Sequence, residues 1–361
     1  MKRIIKLFDP IAGKEEQIAI QKTLKSNFWA SGAGTGKVLE FEENFNKYVG
    51  SDQCIAVNSG TAALHLALSL LDIKNKEVVL PSLSFVSTAH AVLYNGGIPI
   101  FADVDPNTLC IDPQSVRKLL TKKTKVILPV HFAGMSSNLD EIQELCDKFN
   151  IALVEDAAHA AGAKYKNKKI GKHGLAVCFS FHPVKNLAMP TGGAITLNSD
   201  ESERLKVILN SRRWCGISNR KESTYDINEL GWNYYMNEFS AAIGLVQLKK
   251  LDRMNNIRKK IVQRYSNEIR LDRKMPFNKD CVYHFYWIRV KDRHEFMMKM
   301  RDNGIETGIH YRPIHKMKLY QGKSKLETTE KIAEEIVSIP THPNLKESDI
   351  EKIIKSVNRF A

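Results

Sequence analysis

Apolar and polar positions along this chain alternate between two kinds of pattern. Short, continuous apolar runs bounded by turn residues mark buried strands. They are Ile55 to Val57, EVVLPSLSF ending at Phe85, IPIFADVD from Ile98, KVILPVHFAG from Lys125, Ile151 to Val154 and Leu175 to Phe181. Between them, apolar residues recur at helical spacing. That spacing predicts helices over 14–26, from Phe41 to Tyr48 and from Leu139 to Phe149. It predicts two more, one opening after Gly60 with Leu64, Ala67, Leu68 and Leu71 on one face, and one over STAHAVLYNGG, closed by glycine. Strands separated by helices of this length indicate an α/β fold with a mostly parallel central sheet, helices on both faces and right-handed crossovers.

The second half reads differently. The stretch from Arg212 is polar and loop-like, then an apolar helix runs from Asn237 with Phe239, Ile243, Val246 and Leu248 interleaved with small residues. A long helix follows from Leu251 to Leu271. Beyond residue 275, VYHFYWIRV is an alternating aromatic strand, 294–303 a helix, IETGIHYRPIH a strand and loop, and 346–358 a closing helix. This is a smaller C-terminal α+β unit. The pattern places a large domain, with its N-terminal helix and loop, at 1–250 and a small domain at 251–361.

A chain of 361 residues is long enough for two such domains. The start, MKRIIKLFDP, lacks a long apolar segment and no apolar run reaches membrane-spanning length, so a cytoplasmic protein without a membrane partner is expected. Cys54, Cys110, Cys146, Cys178, Cys215 and Cys281 lie far apart with no C-x-x-C pair, which speaks against a metal site or a disulfide framework. The net charge of +14 is scattered among acidic residues rather than gathered in a tail or stripe. Lys164 to Lys172 and the lysines from Lys249 onward read as solvated faces. Nucleic acid is therefore not the expected partner, whereas a phosphorylated small substrate suits the positive field. The loop FWASGAGTGKV is not a phosphate-binding P-loop, because Ser31 stands where glycine is needed, Val38 where a hydroxyl is needed, and no strand precedes it.

The chemistry concentrates at strand ends. Glu155, Asp156 and His159 follow one buried run; Ser180, His182, Lys185 and Asn186 follow another. In a parallel sheet the carboxyl ends of neighbouring strands face one crevice, where ligands bind. A lysine there attacks carbonyls once desolvation and nearby cations lower its pKa, and an aldehyde held there would form a Schiff base. A buried aspartate suits the pyridinium nitrogen of pyridoxal phosphate. The plainer alternative keeps Lys185 as a solvated lysine and Asp156 as a helix cap. Asn58-Ser59-Gly60-Thr61 opens a helix with small residues, which suits a phosphate on free backbone N–H groups and equally an ordinary N-cap. Phe85 stands ready to stack on a flat ring, or to fill core.

Six stretches, NSGTAALHLAL, PSLSF, VEDAAHAAGA, FSFHPVKN, GWNYYMNEFSAAIGLVQL and GIHYRPIH, stand in an order and spacing that resemble the DegT/StrS family of pyridoxal phosphate-dependent sugar aminotransferases, a branch of the aspartate aminotransferase fold. The resemblance runs over residues 12–357. It implies that Lys185 is the Schiff-base lysine and proton shuttle. Asp156 would pair with the pyridinium nitrogen, His159 would lie near the ring hydroxyl, and Phe85 would stack on the ring. Gly60, Thr61 and Ser180, with Ser59 beside them, would hold the phosphate. Asn233 would reach across from the partner subunit of a homodimer with shared active sites. Implied substrates are L-glutamate, which leaves the cofactor as pyridoxamine phosphate, and a keto sugar linked to a nucleotide diphosphate. The product would be an amino sugar for surface polysaccharide or secondary metabolites. His182, Arg212, Arg213, His310, Tyr311 and Arg312 are the candidate substrate contacts, a surface role remaining open for each.

Two departures bear on substrate. The family's TGEGG or TGDGG reads MPTGG here, with Pro190 and Thr191, and its N-Y-R-M reads Asn233-Tyr234-Tyr235-Met236. A pyridoxamine-dependent sugar dehydratase of the same fold carries histidine in place of the lysine, so Lys185 argues against that alternative. A non-catalytic, regulatory cofactor binder is disfavoured by the intact Lys185 and Asp156 pair.

Overall fold

The computed structural model describes residues 3–322 and 324–361. The chain opens with α1 (Lys14–Lys25) and α2 (Lys37–Val49), then alternates: β1 (Gln53–Val57), α3 (Gly60–Ser69), β2 (Glu77–Pro81), α4 (Ser87–Tyr94), β3 (Ile98–Ala102), α5 (Pro113–Leu119), β4 (Thr124–Ile127), α6 (Leu139–Phe149) and β5 (Ala152–Asp156). A small lysine-rich hairpin, β6 (Lys164–Tyr165) and β7 (Lys168–Lys169), precedes β8 (Ala176–Ser180), β9 (Gly193–Leu197) and α7 (Ser202–Arg213). Seven strands form one sheet in the order β1-β9-β8-β5-β4-β2-β3. The run from β8 to β3 is parallel, and β9 lies antiparallel between β1 and β8.

The strands sort their side chains by alternation. In β1, Cys54 and Ala56 pack with Phe41 and Phe45 of α2, whereas Ile55 and Val57 pack with Leu64 and Leu68 of α3 on the other face. Both faces are therefore covered, as a mostly parallel sheet requires. Five cysteines are buried and Cys215 is exposed.

Several elements depart from the sequence pattern. The run through EVVLPSLSF is a strand only to Pro81, and Phe85 sits exposed in the loop before α4. The polar stretch after Arg212 contains a hairpin, β10 (Ile217–Lys221) and β11 (Thr224–Ile227), whose positions are mostly exposed and so show no alternation. The helices expected on either side of residue 250 are one helix, α8 (Glu238–Glu268), with no glycine or proline near residue 250 to break it. VYHFYWIRV is extended only over β12 (Tyr286–Arg289), because Tyr283 takes a left-handed backbone (φ 48°). Then follow α9 (Arg293–Asp302), α10 (Glu327–Glu335), β13 (Ile336–Ile339), antiparallel to β12, and α11 (Glu347–Phe360). The first described residues join this smaller α+β unit: Ile5 bridges to Ile305, and Arg3 pairs with Asp349 at 2.8 Å.

Candidate active site

A cavity of about 330 Å³ opens at the carboxyl ends of β2, β5 and β8. Its walls include Ser59, Gly60, Thr61, Phe85, Asp156, His159, Ser180, His182, Lys185, His310 and Tyr311, so most of the expected site residues are brought together.

One end of the cavity is the N-terminus of α3. Ser59 Oγ accepts from Ala62 N at 3.1 Å, so the ordinary capping role is present, and it leaves other first-turn N–H groups available to an anion. Gly60 is dictated by close approach: a Cβ there would lie 2.7 Å from Ser180 Cβ. A Cβ on Gly193 would lie 2.4 Å from the Ser59 carbonyl oxygen. The helix start, β8 and β9 are thus packed flush, and Thr191 closes the corner by donating to the Asn58 carbonyl.

At the other end, Asp156 ends β5 and is 4% exposed. Its Oδ2 accepts from Thr88 Oγ1 at 2.8 Å and its Oδ1 from Ala158 N at 3.1 Å. Burial nonetheless raises its pKa, opposed by those two bonds and by Lys185 and His131. Lys185 lines the same cavity, within electrostatic reach of Asp156. Burial pushes its amine down to about 8, with the Asp156 charge pulling the other way. At pH 7 roughly a tenth of such amines are neutral, against about one in a few thousand at the ordinary value. The loop that carries it is anchored next door, where buried Asn186 donates to Asn255 Oδ1 and to the Val282 carbonyl, each at 2.9 Å. Asn186 is therefore an anchor, not a ligand group.

The remaining wall is aromatic and basic. His159 Nε2 lies 3.0 Å from Tyr311 Oη, and its ring stacks on His284 at 4.6 Å. Burial, then Lys185 and His310, hold the His159 pKa well below its usual range. Burial and Lys185 push His310 down to about 4, and lower His182 as well.

Three of the arginine candidates for substrate contact are placed elsewhere. Arg213 is 1% exposed, paired with Glu42 and donating to the Ala56 carbonyl at 2.9 Å, because the end of α7 tucks under β1. Arg212 pairs with Glu229 at 2.7 Å and bonds Ser69. Arg312 is exposed and donates to the Lys316 carbonyl. Asn233 lines no part of its own chain's cavity; its carbonyl accepts from Asn58 Nδ2 at 3.2 Å. Two residues escaped sequence reasoning: Thr88, three positions after Phe85, and His284, hidden in an aromatic strand pattern. Among the described residues no cluster of His, Cys, Asp and Glu is arranged for a metal, and no helix is long and apolar enough to cross a membrane.

A desolvated lysine, a buried carboxylate and a helix N-terminus in one cavity define an α/β enzyme suited to an aldehyde cofactor with an anionic tail. The chain belongs to the DegT/DnrJ/EryC1/StrS aminotransferase family, whose profile matches residues 10–358. It is 33% identical to an uncharacterised protein of Methanocaldococcus jannaschii, over 98% of this chain and 96% of that one. Its fold matches PseC of Helicobacter pylori, an aminotransferase in pseudoaminic acid biosynthesis, with TM-score 0.93 and 28% identity over 99% of both chains. It also matches a putative sugar aminotransferase of Streptococcus pneumoniae in its pyridoxal phosphate form, with TM-score 0.92 and 25% identity over 99% of this chain and 98% of that one. The chain is a pyridoxal phosphate-dependent aminotransferase. Its residues fit that cofactor: the α3 start, buried Asp156 and the desolvated Lys185 line one cavity, where they would meet a phosphate, a ring nitrogen and an aldehyde carbon.

Proposed function

We propose that this enzyme moves the amino group of L-glutamate to a keto sugar carried on a nucleotide diphosphate and releases the amino sugar. The observation that carries the reading is the desolvated Lys185 amine facing buried Asp156 in one cavity. When bound, pyridoxal phosphate supplies an electron-withdrawing ring that acidifies the carbon–hydrogen bond beside the transferred nitrogen. Lys185 Nζ would take that proton and return it to the carbon on the other side of the transferred nitrogen, serving both halves of a ping-pong exchange. The Asp156 carboxylate would keep a proton on the ring nitrogen. Ser59, Gly60, Thr61 and Ser180 would hold the phosphate, Phe85 would stack on the ring, and His159 would stand on the ring-hydroxyl side.

The net charge of +14 suits a phosphate-bearing sugar, and His182 and His310 at the cavity offer it uncharged polar contacts. Thr191 and Tyr235 tune which sugar fits. Two chains share their sites as a homodimer, each lending Asn233 to the other. That reading is supported by exposed Asn233 beside Leu230, 80% exposed, and by exposed Tyr225 and Ile227 on the neighbouring hairpin. The enzyme works in the cytoplasm, where its product feeds surface polysaccharide or secondary metabolites. Its cofactor domain occupies 1–250 and its small domain 251–361, the two joined through α8, with the first described residues of the cofactor domain laid against the small one.

The test is a visible absorption spectrum of the protein loaded with pyridoxal phosphate, before and after L-glutamate. It is followed by mass spectrometry of a panel of nucleotide-linked keto sugars. A visible band that bleaches with glutamate, and a sugar product heavier by the expected amine exchange, are the expected results. Lys185→Ala should abolish both. Turnover retained in that variant removes Lys185 from the mechanism, and turnover only with non-sugar ketones removes the sugar.

A further inference from the structure

A chain of hydrogen bonds in the cavity wall has a fixed direction. Ala133 lies in the short turn Phe132–Gly134 with a left-handed backbone (φ 55°), and its N–H donates to His159 Nδ1 at 3.3 Å. A backbone N–H can only donate, so Nδ1 is the acceptor, and a neutral imidazole then carries its proton on Nε2. The doubly protonated ring is excluded by the same donor. It is disfavoured further by burial against His284 and by the nearby Lys185 and His310.

His159 Nε2–H therefore donates to Tyr311 Oη, 3.0 Å away. The phenol is the acceptor in that bond, and its own proton must point elsewhere. Burial and the Asp156 charge raise the phenol's pKa, so that proton stays in place. Both residues line the cavity, where Tyr311 lies 6.1 Å from the Phe85 ring.

We propose that Tyr311 is a ligand-binding residue whose phenolic proton His159 directs toward an acceptor oxygen of the bound molecule. His159 is then a positioning residue, acting through Tyr311 rather than on the ligand itself. The ligand chemistry is an oxygen carrying partial or full negative charge. It has two sources, the cofactor's ring oxygen and an oxygen of the sugar. The inference rests on reading this cavity as the cofactor and substrate site.

The experiment compares Tyr311→Phe, His159→Leu, His159→Gln and the Tyr311→Phe/His159→Leu double variant. Glutamine carries an acceptor and a donor at nearly the imidazole spacing, so it should keep the direction of the chain and behave like wild type. Tyr311→Phe and His159→Leu should each weaken binding about tenfold, and the double variant should be no worse than either. If the loss appears in the dissociation constant of pyridoxal phosphate from the apoenzyme, the oxygen is the cofactor's. If that constant holds and KM for the keto sugar rises about tenfold at little change in kcat, the oxygen is the substrate's. Nitrogen–proton correlation spectra of the wild-type apoenzyme should show His159 in the Nε2–H form. An Nδ1–H form or an imidazolium at neutral pH overturns the proposal. So does Tyr311→Phe with both constants unchanged, or His159→Gln as damaging as His159→Leu. Borohydride fixation of the cofactor on Lys185, followed in every variant, reports on the cofactor reading separately.

Discussion

Replacing Thr88 with valine should destabilise the apoenzyme in a way that depends on pH. Thr88 is fully buried and has one hydroxyl proton with two acceptors in reach, Asp156 Oδ2 at 2.8 Å and the Phe85 carbonyl at 3.0 Å; the nearer, charged carboxylate takes it. Ser84 Oγ, also buried and 2.8 Å from Thr88 Oγ1, must then be the donor in their bond. Valine has nearly the same shape, so the change removes two hydrogen bonds and little packing. A hydrogen bond to a charged group is worth about 1.5–3 kcal/mol, and the orphaned serine hydroxyl adds about 1 kcal/mol, which together give about 3 kcal/mol at neutral pH. The pKa of Asp156 is raised in the folded chain. Its contribution is therefore fully present below the unfolded value and is lost as pH rises through the folded value. Valine withdraws support from the ionised form only, so the Asp156 pKa rises further. The deficit should grow as pH rises through the folded Asp156 pKa and fall, below it, to the roughly 1 kcal/mol left by the orphaned Ser84 hydroxyl, which does not titrate. Urea denaturation of wild type, Thr88→Val and Thr88→Ser across that range measures it, with serine as the variant that keeps the hydroxyl. An equal valine deficit at every pH would mean that Thr88 gives the ionised Asp156 no support, and the absence of any deficit would mean that neither bond is made.

Three further outcomes follow from the geometry. Capture of pyridoxal phosphate by the apoenzyme should quicken roughly tenfold per pH unit and level off near 8, where burial sets the Lys185 pKa; stopped-flow absorbance checks this, and a rate still climbing at pH 10 would mean an ordinary solvated amine. Gly60→Ala forces a Cβ to within 2.7 Å of Ser180 Cβ, so the start of α3 must move away from β8; a stability loss of about 1–3 kcal/mol with weaker cofactor binding is expected in denaturation and titration, and an unchanged dissociation constant would separate this glycine from the phosphate. Arg213→Met leaves Glu42 buried without its cation and should cost about 3–5 kcal/mol of stability while KM for the sugar stays unchanged; a KM shift at unchanged stability would return Arg213 to the substrate.

What was legible in the sequence follows from which physical constraints leave a one-dimensional trace. A parallel strand buried on both faces must be a short apolar run, and its carboxyl end must face the crevice, so Asp156, Ser180 and Lys185 could be assigned to one site from position alone. The antiparallel strand β9 left no such trace. It opens on the second glycine of the pair Gly192-Gly193, and nothing local distinguishes an antiparallel partner from a parallel one. The exposed hairpin β10–β11 has no buried face, hence no alternation to read. The arginines failed for a further reason. A guanidinium near an active-site motif looks the same in sequence whether it faces substrate or a buried carboxylate, and Arg213 is settled by Glu42, a residue far away in the chain. The direction of a hydrogen-bond chain is subtler still, because it depends on which atom of a turn faces which atom of a ring. His159 and Tyr311 were both chosen from motifs. That one orients the other depends on the Ala133 N–H, a backbone group that no side-chain pattern records. Residue types thus announce the chemistry, while the roles within it are set by backbone donors and distant partners that only the fold brings together.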